Sequence, residues 1–144
     1  MGIPYLKIQP EEAIQELDKC IVEGYQIKDK ITQEYHTERA KADERIPEWQ
    51  RIANDWLNNT IQKLETVFVS QKELYNFRDA HISPLMISNT NIKWNNIINR
   101  LQARIDKLNE YDVYIRNQFN VKVEFVGRDK IVQSGDNSKV ETKN

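Results

Sequence analysis

Asp112 is the residue whose type and position fit least easily with a plain structural role. It falls between Leu108 and Ile115 in an apolar series, where a carboxylate needs an opposite charge or several donors to be tolerated. Tyr111, Tyr114 and Arg116 flank it. An acid and a base beside two phenols form a polar pocket at one end of a helix, suited to hydrogen bonding a small ligand or nucleotide. The alternatives are an ion pair or phenol contact with a neighbouring helix, or a bend near Tyr111 that opens the site to solvent. Other chemistry is thinly supplied. Two histidines, one cysteine and no HExxH, CxxC or paired histidines at i, i+4 give no metal signature. Glycines at 2, 24, 127 and 135 cannot build GxGxxG or GxxxxGKS, so dinucleotide and P-loop readings fail. Cys20 lies on the apolar side of a helix without a neighbouring histidine and reads as a core residue. His36 falls in a charged stretch and His81 in a loop. No catalytic residue, metal or cofactor is expected, and the chain does not read as an enzyme.

Composition narrows the partners. The 144 residues carry a net charge of −1 and a pI near 6.2, which argues against general polyanion binding and so against nucleic acid. Lys93, Arg100, Arg104 and Lys107 make a basic edge on one helix, without the interleaved aromatics of a nucleic-acid surface. Residues 1–92 sum to −4 and residues 93–144 to +3, a polarity that suits either a mixed solvated surface or self-association. The single cysteine fits a reducing, cytoplasmic setting. No apolar run approaches the ~20 residues that span a bilayer, and the N-terminus lacks signal-peptide order. No membrane partner is expected.

The elements that would position these residues follow from periodicity. Pro10-Glu11-Glu12 is a helix start, and Ala13, Ile14, Leu17, Cys20, Ile21, Tyr25, Ile27, Ile31 and Tyr35 line one side of the helix that follows. Gly24 on that side predicts close approach of a neighbouring helix. Residues 36–45 are charged and are expected as a solvated helix end or linker. From Ile46 to Val69, Ile46, Trp49, Ala53, Trp56, Leu57, Thr60, Ile61, Leu64, Val67 and Phe68 share one face, with Pro47 in the first turn and Trp49 near the start. Ser70 caps a short helix to about Arg78. From about Asn91, Trp94, Ile97, Ile98, Leu101, Ile105, Leu108, Ile115 and Phe119 recur at helical spacing. The fold class is mainly α: an elongated antiparallel bundle of three long helices, with the short helix closing one end.

The rule changes after residue 119. Val121, Val123 and Phe125 alternate with Lys122 and Glu124, and Gly127-Arg128-Asp129 is turn chemistry. A short C-terminal β segment or small meander is expected, or one strand followed by a polar tail. The division is then 1–119 for the bundle and 120–144 for the β segment and tail. A strand with few local partners offers its edge to another chain, which makes Val121, Val123 and Phe125 candidate interaction residues.

Three stretches, EEAIQELDKCIVEGYQIKDKI, IPEWQRIANDWLNNTIQKLETVF with ELYNF behind it, and IINRLQARIDKLNEYDVYI, together resemble the helical N-terminal module found ahead of TIR-like and other effector domains in bacterial nucleotide-signalling and defence proteins. The resemblance lies in order, spacing and the Trp-to-Phe helix. It implies an accessory domain that associates or regulates while an attached domain acts. The sequence ends at Asn144 without an effector, which fits a free-standing relative or a piece of a longer protein. The expected function is a non-enzymatic helical interaction or oligomerisation module of bacterial defence, binding a protein partner or itself as a homo-oligomer. The alternative is a small-ligand or nucleotide sensor at the bundle end near Asp112.

Overall fold

In the computed structural model, which describes residues 6–81 and 89–120, four helices form the fold: α1 (Pro10–Thr37), α2 (Ala42–Val67), α3 (Gln71–Asp79) and α4 (Thr90–Phe119). α1 begins where proline and carboxylates favour a start. Pro10 takes the first turn and the Gln9 N–H donates to the Glu12 carboxylate at 3.4 Å. Ahead of it, the Lys7 N–H donates to the Val67 carbonyl at 2.7 Å, and Leu6 forms an isolated antiparallel bridge with Phe68. This pins the lead-in to the end of α2, with Leu6 and Ile8 against the core.

α2 starts at Ala42, a turn earlier than the sequence suggests. Residues 36–45 hold the end of α1, a 3-10 turn over Arg39–Lys41 and the first residues of α2. Ala42, although small, is buried and supplies the apolar contact that begins the helix. Pro47 therefore sits inside the helix. Its missing N–H would have met the carbonyl of Asp43, an exposed residue that water can satisfy. Trp49, on the face expected to be buried, lies fully in the interior.

Side-chain contacts give the helix directions. Glu34 meets Trp49, Cys20 meets Trp56 and Glu16 meets Lys63, so α2 runs antiparallel to α1. Tyr35 stacks on Trp94 at 4.3 Å and Lys28 donates to Gln102 at 2.6 Å, so α4 is also antiparallel to α1. Consequently α2 and α4 run parallel to each other. α3 does not close one end of the bundle. Ser70 caps it by accepting from the Lys72 N–H at 3.0 Å, and it then runs back along α2 and α4, with Phe77 edge-on to Trp56. Two parallel neighbours need such a return connection.

At the centre, α1, α2 and α4 converge on Gly24. A Cβ there would lie 2.7 Å from Trp56 Cζ2 and 2.9 Å from Ile105 Cγ1. The close approach expected from the sequence is present. Ile14, Leu17, Ile21, Leu64, Phe68, Phe77, Leu101, Ile105 and Leu108 fill the core around it. α4 ends at Asn120, whose φ of 53° is the left-handed cap conformation that asparagine tolerates. The β segment expected over 120–144, apart from this capping residue, lies outside the described residues. Among the described residues no helix is long and apolar enough to cross a membrane.

Candidate functional site

α4 carries all four residues of the expected polar pocket, and helical geometry divides them. Successive helix positions differ by about 100°, so Asp112 turns away from Tyr111. Asp112 is 0% exposed and accepts from Arg116 Nε at 2.6 Å, one turn along the same helix. A charge-assisted bond of this geometry makes the buried carboxylate tolerable. Arg116 reaches the carboxylate from a partly exposed position.

Tyr111 points toward α3. Its hydroxyl donates to the Glu73 carbonyl at 2.7 Å and its ring packs edge-on to Phe68. Burial, with Glu73 and Glu110 nearby, raises its phenol above the usual range. Tyr111 and Tyr114 line a groove of about 480 Å³ between α3 and α4, together with Lys72, Glu73, Asn76, Lys107, Glu110, Val113 and Asn117. Asp112 and Arg116 do not line it. The structure thus joins Asp112 to Arg116 and Tyr111 to Tyr114, and keeps the pairs apart. Val121, Val123 and Phe125 lie outside the described residues.

Within the groove Val113 is 49% exposed; Tyr75 on α3 and Phe119 on α4 are also exposed but do not line it. One oxygen of Glu73, Oε1, is buried at this groove without a hydrogen-bond donor among the described residues. The rim carries Lys72 and Lys107 against Glu73 and Glu110, a neutral balance.

The basic edge read from the sequence also divides. Lys107 turns toward the α3–α4 groove and pairs with Glu110 at 2.8 Å. Lys93, Arg100 and Arg104 instead line a cleft of about 320 Å³ between α2 and α4. Arg104 is only 7% exposed, and its Nε and Nη2 donate to the Arg78 carbonyl near the end of α3, at 3.1 and 2.7 Å. Sequence reasoning missed this burial, and missed that of Asp18 on α1. Spacing places Arg104 inside the apolar stripe, three residues after Leu101 and four before Leu108, but a side chain of that length can reach water from such a position.

At the far end of the bundle Glu34 accepts from Lys30, Arg45 and the Trp49 indole. Those bonds, Lys30 and Trp49 foremost, lower its carboxyl to about 2. Cys20 is buried in the core, and desolvation pushes its thiol up to about 11. Among the described residues no group of three or more His, Cys, Asp or Glu side chains is placed to hold a metal ion. Compared with known protein families, curated proteins and solved structures, the chain matches none.

Proposed function

We propose that this chain is a non-enzymatic helical interaction module that self-associates through the α3–α4 groove. The observation that carries the reading is the groove itself, where Val113 and Tyr114 present apolar surface beside a buried Glu73 oxygen that lacks a donor. Apolar side chains grouped in a groove with a polar rim favour a protein surface over water. The neutral rim suits a second copy, because equal numbers of lysine and glutamate let the same patch face itself across a twofold axis without net repulsion. An accessory role beside an effector activity, of the kind implied by the resemblance to bacterial defence modules, belongs to the same reading.

Sedimentation equilibrium from micromolar to millimolar concentration tests it. The intact chain should associate, and Val113→Glu should shift it toward monomer with its helical circular dichroism unchanged. A strict monomer at every concentration refutes the reading. A companion chain lacking residues 121–144 separates the groove from a strand edge at Val121, Val123 and Phe125. Association retained in the short chain assigns the contact to the helices, whereas association lost assigns it to that segment.

The sensor reading keeps one supporting observation: Tyr111 and Tyr114 share the groove with the amides Asn76 and Asn117. A thermal-shift screen with cyclic and linear nucleotides tests it, since a ligand at 100 times its Kd adds ~2.7 kcal/mol of stability. A shift removed by Tyr114→Ala would favour the sensor over the self-association module.

A further inference from the structure

The α2–α4 cleft lies apart from the groove just described and has the opposite character. Lys93, Ile97, Arg100 and Arg104 follow steps of four, three and four along α4, so they share one face. α2 faces them with the amides of Gln50 and Asn54 across a small floor of Ala53. Three cations thus line one concave space. Among the described residues no carboxylate lies within ion-pair distance of Lys93, Arg100 or Arg104. The acid whose field reaches Arg100 and Arg104 is Asp79, and its two oxygens are already held by Arg78 at 2.9 and 3.1 Å.

Arg104 is the centre of the cleft. Its guanidinium has five N–H donors, and the Arg78 carbonyl takes one from Nε and one from Nη2. That contact fixes the plane of the fork at the cleft wall, leaving Nη1 and the second Nη2 hydrogen for other acceptors. Burial first, and then Arg100, pull its titration down to about 10, the direction of a desolvated cation beside a like charge. A rigid guanidinium is the side chain best matched to a tetrahedral oxyanion.

We propose that this cleft binds a small phosphate monoester, with the phosphate held by Arg104, Arg100 and Lys93 and the ester body seated against Gln50, Asn54 and Ala53. Three cations favour a dianion over a single carboxylate. The space of about 320 Å³ is at the lower end of small-molecule pockets, roughly 300 to 1,000 Å³, and exceeds what a bare inorganic anion fills. The amides can donate and accept, as recognition of hydroxyl groups requires.

Isothermal titration of the full chain at fixed ionic strength tests this with ribose 5-phosphate, ribose and inorganic phosphate as probes. Saturable one-to-one binding of ribose 5-phosphate is expected, with weaker binding of inorganic phosphate and none of ribose. Arg100→Gln and Lys93→Gln alter exposed residues that make no ion pair, and each should weaken binding roughly tenfold with the helical circular dichroism unchanged. Arg104→Gln should abolish binding, but it also removes the bond to Arg78, so the two exposed variants decide. Absence of saturable ribose 5-phosphate binding overturns the proposal, as does binding that ignores both exposed variants. Equal affinity for ribose 5-phosphate and inorganic phosphate overturns the ester assignment. Binding of a single-stranded RNA oligonucleotide without binding of ribose 5-phosphate overturns the small-molecule assignment. None of these results depends on the oligomeric state that tests the α3–α4 groove.

Discussion

Replacing Gly24 by alanine sets two known effects against each other. In an exposed helix interior the change stabilises by about 1 kcal/mol, because alanine has the higher helix propensity. At Gly24 the added methyl would meet Trp56 Cζ2 at 2.7 Å and Ile105 Cγ1 at 2.9 Å, both closer than real Cβ contacts come. Neither neighbour yields easily. The Trp56 indole is tied to the Cys20 carbonyl at 3.1 Å and backed by the Phe77 ring, and Ile105 is fully buried. Overpacking of this kind costs about 1 to 3 kcal/mol, with this site in the upper part of that range. The net expectation is a loss of about 1 to 2 kcal/mol, read as a lower denaturant midpoint and a Tm lower by roughly 4 to 8 °C. Guanidinium melts followed by helical circular dichroism measure it, with Glu23→Ala on the exposed side as the control. In an Ile105→Ala background the loss should shrink, since one of the two obstructions is gone, giving a coupling of about 0.5 to 1 kcal/mol. A Gly24→Ala variant as stable as the parent, or more stable, would refute the three-helix contact.

Trp49→Ala and Trp56→Ala should each cost about 3 to 5 kcal/mol in denaturant melts, because both rings lie within the core. For Glu34, whose carboxyl is lowered to about 2, the linkage sign is that of a depressed acid. Its contribution is complete above the ordinary value of 4.5 and lost as pH falls toward 2, about 1 to 2 kcal/mol after allowance for its partial exposure. Glu34→Gln should flatten the dependence of the denaturant midpoint on pH in that window. The Cys20 thiol, buried and raised to about 11, should react with a disulfide reagent at neutral pH only as fast as the core opens. Labelling followed by mass spectrometry, with and without denaturant, reads that rate.

Much of the fold was legible because each helix buries one face. The apolar positions of α2 mark its core face, and Ser70 marks the start of α3 through a side-chain cap that any serine ahead of a helix can make. Gly24 was legible for a related reason: a glycine inside an apolar stripe is costly unless a neighbour needs the room. The start of α2 was not, because the signal there is the burial of one small residue, Ala42, among charged neighbours. The parallel relation of α2 to α4 was hidden too. Three long helices of matched length give the same patterns in either arrangement, and only the return path of α3 separates them.

The site residues divide along another line. Asp112 could be singled out because a carboxylate in an apolar stripe demands a partner, and that partner, Arg116, stands four residues on. Arg104 sits in the same stripe by the same spacing, yet its long stem lets an arginine reach water from many positions, so the wheel alone does not report its burial. What holds Arg104, Tyr111 and Trp56 is in each case a backbone carbonyl, of Arg78, Glu73 and Cys20 respectively. Every residue offers a carbonyl, so such a partner leaves no mark in the amino-acid sequence. Two of these bonds tie α3 to α4, and Tyr111 and Arg104, which make them, line the α3–α4 groove and the α2–α4 cleft respectively. The placement of both candidate surfaces therefore follows from contacts between side chain and main chain across helices, which appear only once the helices are packed.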